Sequence, residues 1–229
     1  MKKVAVSFSG KDSTLALYDL LNSNEYEVTL LFSTVTEGVN RTSIHGVREE
    51  LLEAQAESIG IPLQKIRIPE QCSNEQYGSI MEKELASMKS QGIDHIAFGD
   101  LFLEDVRGYR EQMLKPTGIT PIFPLWGTGT TELIQRFLTL GFKTITTCVD
   151  LTRLPENFSG REIDNQFLEE LPAEVDPCGE NGEFHSFVFD GPIFKKPIQF
   201  EIGQKKFSPD IYTGQTRFCF TDLIPRGEY

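Results

Sequence analysis

The sequence is short of positive charge and of cysteine. Its 229 residues include 22 Lys and Arg against 34 Asp and Glu, which gives a formal net charge of −12. A surface that binds a polynucleotide needs a local excess of basic residues, so nucleic acid is disfavoured as a partner. A small phosphate compound is not disfavoured, because a few donors and helix-end amides can hold it.

The four cysteines form no Cys-x-x-Cys pair. Their spacing therefore does not favour a zinc site, an iron–sulfur cluster or a dithiol redox centre, and we interpret them as reduced thiols. The apolar run at the amino terminus is too short for a signal peptide or a membrane span. We expect a cytoplasmic protein without membrane association.

Short β-branched runs alternate with helical patterns over the first 150 residues, which is typical of a parallel sheet covered by helices. Strands are predicted at residues 3–8, 28–34, 63–68, 95–98 and 143–149. Helices are predicted at residues 13–21, 46–59, 74–91 and 130–140. Gly60, Gly92 and Gly141 follow three of these helices, where a left-handed residue commonly ends a helix.

The pattern changes after Asp150, where proline and glycine interrupt the chain. A short helix is predicted at residues 163–171, and antiparallel strands at 186–189, 198–202 and 216–220. We therefore predict an α/β fold, with a Rossmann-like parallel sheet and helices on both faces in residues 1–150. A smaller α+β lobe is predicted in residues 151–229.

Residues 4–14 run from a buried strand directly into a helix through small residues at the corner. The free amides at such a helix start bind anions, and Gly10 allows a phosphate to approach the backbone. Lys11 adds a full positive charge, and Ser9 and Ser13 add hydroxyl donors. The alternative is that Ser9, Asp12 and Ser13 only cap the helix. The position of this corner after the first strand of an α/β sheet favours ligand binding.

The second candidate segment, residues 99–110, follows the fourth predicted strand. Asp100 lies where a strand meets a nucleotide crevice and is predicted to bind Mg²⁺. Arg107 and Arg110 are candidates to pair with a substrate carboxylate or phosphate. The alternative for Glu104 and Asp105 is a solvated helix face that pairs locally with these arginines.

The third segment, residues 176–186, carries carboxylates, an amide, a thiol and an imidazole within a turn-rich stretch. Such loops commonly serve a site, here by orienting a carboxyl group, binding ammonia or accepting a proton. The alternative is a turn with surface acids. Elsewhere, His45 is predicted to touch a nucleotide or to make a surface hydrogen bond, and His95 is predicted to be structural.

The corner at residues 9–13 resembles the Ser-Gly-Gly-x-Asp-Ser loop of the ATP pyrophosphatases, although Phe8-Ser9 stand where that pattern has Ser-Gly. A closer resemblance spans nearly the whole chain. Gly-Asp-Leu-Phe-Leu-Glu-Asp at 99–105, Pro-Ile-Phe-Pro-Leu-Trp at 121–126, Phe-Ser-Gly-Arg at 158–161 and Asp-Pro-Cys-Gly-Glu-Asn-Gly-Glu-Phe-His-Ser at 176–186 are similar to the diphthine ammonia ligase family. The last motif is the most specific of them.

This resemblance implies an ATP-binding domain over residues 1–150 and a substrate-binding lobe over residues 151–229. It implies a ligase that adenylates a carboxylate and forms an amide with ammonia, releasing AMP and pyrophosphate. The family acceptor is diphthine, a modified histidine on elongation factor 2. ATP and Mg²⁺ are the implied cofactors, and a homodimer is one expected assembly.

The predicted site residues form three sets. The predicted nucleotide-binding residues are Ser7, Ser9, Gly10, Lys11, Asp12, Ser13, Thr34, His45 and Gly99. The predicted catalytic residues are Lys11, Asp12, Asp100, Glu180, Asn181, Glu183 and His185, with Glu183 or His185 as the proton acceptor. The predicted metal ligands are Asp12 and Asp100.

Three other functions stay open at this point. The acceptor could be a small molecule or cofactor precursor, or the same phosphate loop could serve sulfur transfer to tRNA. The acidic charge and the lack of a cysteine pair count against tRNA. A nucleotide-binding regulator without catalysis is the third possibility, since related folds bind ATP as sensors.

Overall fold

The computed structural model of the protein describes residues 1–209 and 214–227. The chain forms two compact units, each discontinuous in sequence. The first unit comprises Met1–Ser43 and Gly60–Gly127, and the second comprises Ile44–Ile59 and Thr128–Tyr229. The chain therefore leaves the first unit at residue 43, returns to it at residue 60, and leaves again after residue 127.

The first unit contains a six-stranded sheet, most of it parallel. Its strands are β1 (Lys2–Ser7), β2 (Tyr26–Thr36), β3 (Arg41–Thr42), β4 (Leu63–Ile68), β5 (His95–Ala97) and β6 (Thr120–Ile122). Its helices are α1 (Lys11–Leu21), α3 (Asn74–Ser90) and α4 (Glu104–Leu114). β1 lies between β2 and β5 and pairs parallel with both.

Helix α3 shows how the sequence specifies this unit. Ser73 and Gln76 form a capping box, in which the side chain of each bonds the backbone N–H of the other and so starts the helix. The buried side chains Met81, Leu85 and Met88 pack in one core with sheet residues such as Phe32 and Ile96. Their spacing is the three- and four-residue pattern of one helix face.

The second unit is built on a four-stranded antiparallel sheet in the order β8-β7-β10-β9. Its strands are β7 (Lys143–Asp150), β8 (Phe184–Asp190), β9 (Phe200–Pro209) and β10 (Thr216–Pro225). Its helices are α2 (Glu49–Ile59), α5 (Thr130–Thr139) and α6 (Asn165–Glu170). The predicted α/β class is confirmed, and the structure shows a parallel-rich sheet with helices and a second, antiparallel sheet.

Helix α2 packs in the second unit although it lies between two strands of the first in sequence. Leu51 and Ala54 share a core with Ile145, Phe187 and Leu223 of the antiparallel sheet. Two hydrogen bonds also join this helix to the second unit. Buried Gln55 donates to the Val188 carbonyl at 2.6 Å, and the Ser58 hydroxyl donates to the Lys196 carbonyl at 2.7 Å. The helix is thus fixed by apolar and polar contacts alike.

The prediction that residues 143–149 belong to the parallel sheet is wrong. This segment forms β7, which pairs antiparallel with β8 and β10. All of β7 after Lys143 is buried, and burial on both faces is also typical of strands in parallel sheets. The hydroxyl groups of its buried threonines find hydrogen-bond acceptors. Thr144, for example, donates to the Phe187 carbonyl of β8 at 3.0 Å.

Three elements of the first unit, β3, β6 and α4, lie outside the strand and helix predictions, because they are short or polar. β6 has only three residues, and α4 carries mostly polar side chains. The predicted helix ends at Gly60, Gly92 and Gly141 are confirmed, with φ of 86°, 81° and 84°. No described helix has the length and apolar character needed to cross a bilayer.

Replacing Leu51 by alanine should destabilise the second unit, because this buried side chain belongs to its core. We expect the free energy of unfolding to fall by about 2–5 kcal/mol in urea denaturation. Hydrogen exchange of the β7 and β8 amides should accelerate in the same variant.

The matched control is Glu57→Ala, an exposed position on the same helix. It should change the free energy of unfolding by about 0.5 kcal/mol or less. Unchanged exchange of the β7 and β8 amides in Leu51→Ala would contradict the packing of α2 on this sheet.

Candidate functional site

The first candidate cluster begins at the corner between β1 and α1. Gly10 is the N-cap residue of α1, and no side chain caps this helix. The first-turn amides of an uncapped helix point outward and carry the positive end of the helix dipole. The corner therefore has the donor geometry of an anion site.

Side-chain hydroxyls hold the corner in shape. The Ser13 hydroxyl donates to the Gly10 carbonyl at 2.9 Å and accepts from the Ser9 amide at 2.9 Å. The Thr14 hydroxyl also donates to the Gly10 carbonyl, at 2.9 Å. Ser13 thus stabilises the loop through internal hydrogen bonds. Its position in the sequence did not distinguish this role from phosphate binding.

Lys11 and Asp12 form a close ion pair at this corner. The Lys11 side chain is almost fully buried, and its Nζ donates to both carboxylate oxygens of Asp12, at 2.8 and 2.7 Å. A buried ammonium is costly unless it is paired and hydrogen-bonded. The neighbouring carboxylate meets that requirement and holds the charge beside the helix start.

Gly99 brings the end of β5 against the start of α1. A Cβ at Gly99 would lie 2.6 Å from the Ser13 nitrogen and 2.8 Å from the Asp12 carbonyl carbon. Both are backbone atoms, so a larger residue has no room. The close approach places Asp100 in the same corner of the first unit as the turn between β1 and α1.

Asp100 is held in a partly buried environment beside Arg110. Its Oδ2 lies 3.7 Å from the Arg110 Nε, too far for a hydrogen bond, and both atoms are buried without hydrogen-bond partners. Burial raises the pKa of the Asp100 carboxyl; Arg110 opposes the shift, and the charge of Asp12 adds to it. Two carboxylates that repel each other and an unsatisfied oxygen suit a bound cation.

Ser7 and Thr34 lie near the carboxyl ends of neighbouring strands. Ser7 is the last residue of β1 and pairs with Phe32 of β2, two residues before Thr34. Both side chains are partly exposed. The first unit therefore gathers most of the predicted nucleotide-binding set: Ser7, Ser9, Gly10, Lys11, Asp12, Ser13, Thr34 and Gly99.

Arg107 is engaged in local contacts. Its guanidinium lies 5.0 Å from the Phe123 ring centroid and 4.7 Å from that of Trp126, and its Nε bonds Glu111 at 2.8 Å. Arg107 thus pairs with Glu111 of its own helix, which is not one of the two carboxylates, Glu104 and Asp105, considered as its local partners. Glu104 and Asp105 are exposed in the first turn of α4, as a solvated helix start requires.

The second cluster lies in the second unit, in the loop before β8. The Glu183 side chain is buried, and its carboxylate accepts from the Asp176 amide at 3.1 Å and the Asn181 amide at 3.0 Å. The Asn181 side chain donates to it as well, at 3.1 Å. Glu183 therefore organises the loop, and its carboxylate is occupied by these bonds.

Asp176 closes the same loop from the other side. Its Oδ1 accepts from the amides of Cys178 at 2.9 Å and Glu180 at 3.2 Å. This role of Asp176 was not predicted, although an aspartate before Pro-Cys-Gly is a recognisable turn signal. The loop thus presents Glu180, which is partly exposed, and Asn181, which is exposed, on a fixed backbone.

His45 and His185 lie together in the second unit. Their ring centroids are 4.8 Å apart, and the His45 Nδ1 is 3.0 Å from the Ser186 carbonyl oxygen. His45 therefore groups with the loop of the second unit, and its predicted nucleotide contact stays a prediction. Among the described residues, no group of three or more His, Cys, Asp or Glu is placed to hold a metal ion.

Both halves of the chain match sequence models of one protein family. Residues 1–121 match the sequence model of the diphthamide synthase N-terminal domain, and residues 129–215 match that of its C-terminal domain. The chain belongs to the diphthamide synthase family. The resemblance seen in the sequence is confirmed, and the family is one of ATP-dependent ligases.

Curated relatives of this family member are named diphthine–ammonia ligase. The mouse protein is 25% identical over 167 residues, covering 66% of this chain and 62% of its own length. The bovine and human proteins are each 22% identical over 219 residues, covering 86% of this chain and 82% of their own length. The match with the mouse relative thus spans less than two thirds of that protein.

Two solved structures are similar at low level. A predicted tRNA methyltransferase subunit from Methanocaldococcus jannaschii aligns with a TM-score of 0.40 and 18% identity, over 63% of this chain and 80% of its own. A U34-tRNA thiolase from Methanococcus maripaludis aligns with a TM-score of 0.38 and 20% identity, over 61% and 58%.

Replacing Gly99 by alanine should disrupt the first cluster, because the new methyl group would collide with the backbone of Asp12 and Ser13. We expect a lower Tm and ATP binding weakened by about tenfold or more, measured by calorimetry. Gly108→Ala is the matched control, since a Cβ there meets no atom within 4 Å. Equal ATP affinity in the two variants would argue against an ATP site at this corner.

Replacing Asp100 by asparagine should raise the Tm near neutral pH. The pKa of Asp100 is raised in the folded protein, so the folded state binds the carboxyl proton more tightly than the unfolded chain does. The contribution of this carboxyl to the free energy of unfolding therefore falls as the pH rises from the ordinary pKa of 3.8 towards the raised pKa of the folded state. The asparagine variant lacks that loss, so its advantage should shrink as the pH is lowered. Asp105→Asn, at an exposed position of α4, is the control in the same pH series. A destabilised Asp100→Asn variant at neutral pH would contradict the shift.

Proposed function

We propose that the protein adenylates a carboxylate with ATP and forms an amide with ammonia, releasing AMP and pyrophosphate, and that its acceptor is diphthine on elongation factor 2. The observation that carries the proposal is the uncapped helix start at Gly10, where Gly99 approaches the backbone of Asp12 and Ser13 and Asp100 follows directly. Membership of the diphthamide synthase family supports the reaction. The cytoplasm, where translation factors act, is the proposed location, and a homodimer stays a prediction.

The chemistry requires activation because a carboxylate is a poor electrophile. Transfer of AMP to the carboxylate breaks the bond between the α and β phosphates and gives the acyl group a good leaving group. Ammonia then attacks the acyl carbon, the amide forms, and AMP leaves. The largest electrostatic task is to stabilise the negative charge on the departing pyrophosphate.

The first unit supplies donors for that task. In the proposal, the first-turn amides of α1 bind the β and γ phosphates, and Gly10 lets them approach the backbone. Lys11 contributes a positive charge next to these amides. Its bonds to both carboxylate oxygens of Asp12 orient the ammonium.

The carboxylates of Asp12 and Asp100 fit a Mg²⁺ ion that accompanies the triphosphate. Asp100 has a buried oxygen without a hydrogen-bond partner, and Asp12 acts electrostatically on the same carboxyl. Mg²⁺ bound through nucleotide phosphates commonly uses one or two protein carboxylates and water. When bound, it would neutralise charge on the leaving pyrophosphate.

The second unit carries the residues proposed for the acceptor step. Glu183 is proposed as a positioning residue, because its carboxylate is buried and bonded within the loop. His185 is then the better candidate to take the proton that the attacking nitrogen loses, since imidazole exchanges protons near neutral pH. Glu180 and Asn181 are proposed to contact the acceptor or ammonia.

Sulfur transfer gains no support from Cys148 and Cys219. Burial, with Cys219 and Asp150 nearby, raises the pKa of the Cys148 thiol to about 12, and burial also raises the pKa of Cys219. Thiols of this kind are poor nucleophiles because they stay protonated.

The test combines the protein with Mg²⁺, ATP, ammonium and elongation factor 2 that carries diphthine. We expect AMP, pyrophosphate and the amide, detected by chromatography and by mass spectrometry of the modified peptide. Lys11→Met should lower kcat/KM by about 100-fold. Lys83→Met, at an exposed position of α3, is the matched control and should behave as wild type.

Two outcomes would redirect or overturn this proposal. ADP in place of AMP would show cleavage between the β and γ phosphates and overturn it. AMP formed with small carboxylates but not with elongation factor 2 would retain the reaction and replace the acceptor.

A further inference from the structure

His45 and His185 form a pair of imidazoles in the second unit. The ring planes are inclined by 46° at a centroid distance of 4.8 Å. His45 lies in the segment before α2, whereas His185 lies on β8. The two residues are distant in sequence, so the fold of the second unit creates the pair.

The hydrogen bond of His45 defines which of its ring nitrogens carries the proton. Its Nδ1 is 3.0 Å from the Ser186 carbonyl oxygen. A carbonyl oxygen only accepts, so Nδ1–H is the donor and, in the neutral ring, Nε2 carries the lone pair. Ser186 directly follows His185, so the bond fixes His45 against the strand that carries His185.

Two further contacts fix the segment around His45 to strand β10. Gly46 has a φ of +67°, and a Cβ there would lie 2.8 Å from the Phe220 Cδ1. Arg48 pairs with both oxygens of Asp222, with Nε–Oδ1 at 3.0 Å and Nη2–Oδ2 at 2.7 Å. A bidentate pair of this kind restricts orientation as well as distance.

His185 has an uncharged neighbour across the sheet. It lies opposite Cys148 on β7, and Cys148 lies opposite Phe220 on β10. The raised pKa of Cys148, about 12, keeps its thiol protonated. His185, Cys148 and Phe220 thus lie side by side across the sheet. The segment with His45 contacts the two outer residues, and the central Cys148 contributes no charge.

We infer that His45 is a positioning residue for His185, holding its imidazole in the orientation needed to accept a proton during amide formation. The inference rests on the proposed function, in which His185 is the proton acceptor. It assigns His45 to the acceptor chemistry of the second unit. A general base must direct its lone pair at the proton it removes, so loss of orientation lowers kcat more than substrate binding.

Nuclear magnetic resonance of the imidazoles tests the pair without any substrate. The chain has three histidines, so each ring can be assigned by single substitution. We expect His45 in the Nδ1–H tautomer, and we expect His45→Phe and His45→Asn to move the His185 ring resonances. His95→Gln, in the first unit, is the matched control and should leave them in place.

Kinetics test the consequence for catalysis. In His45→Phe the ring is kept without the donor, and in His45→Asn a donor is kept without the ring. Both variants should lower kcat by about 10–100-fold while the Kd for ATP stays that of wild type. Their Tm values, measured in parallel, separate this effect from loss of the fold.

The Nε2–H tautomer for His45, or His185 resonances unmoved by its replacement, would overturn the inference. Weakened ATP binding with an unchanged kcat would also overturn it and return His45 to the nucleotide. Failure of the wild-type protein to form AMP would instead refute the proposed function, and the resonance data would still decide whether His45 orients His185.

Discussion

The parallel pairing of β1 with β5 is the constraint on which the first candidate cluster depends. Because the two strands are neighbours and run the same way, the chain turns after each of them at the same edge of the sheet. One turn becomes the start of α1 and the other carries Gly99 against its backbone. Asp100 follows directly, so strand pairing determines its distance from the turn that starts α1.

Three buried or partly buried carboxylates are paired to different extents. Glu183 is bonded by amides of its own loop and by Asn181, so its burial fixes one loop conformation. Asp150 is buried at the end of β7; burial raises its pKa, but Arg217 and Thr152 outweigh that and lower it on balance. Asp100 has only a long ion pair and keeps a raised pKa. Incomplete pairing is typical of a group that meets a ligand.

Much of the fold was predictable from sequence because its elements carry local signals. The strand-to-helix corner at residues 7–13 and the glycines that end α2, α3 and α5 needed no tertiary information. The assignment of β7 failed because a strand buried on both faces has the same composition in a parallel or an antiparallel sheet. The packing partner of α2 is likewise absent from its periodicity, which shows an apolar face but not what covers it.

The candidate residues were identified by type and spacing, whereas their separate tasks depend on contacts. Glu183 and His185 are two positions apart, yet one is buried in hydrogen bonds and the other contacts a distant histidine. No local pattern links His45 to His185, because the fold joins them. The insertion of α2 has a wider consequence: residues 128–229 expressed alone would lack Leu51 and Gln55, exposing apolar sheet residues and leaving the Val188 carbonyl without its side-chain donor. The second unit is therefore not formed by one continuous stretch of chain. Any fragment meant to retain its fold must include the segment between β3 and β4.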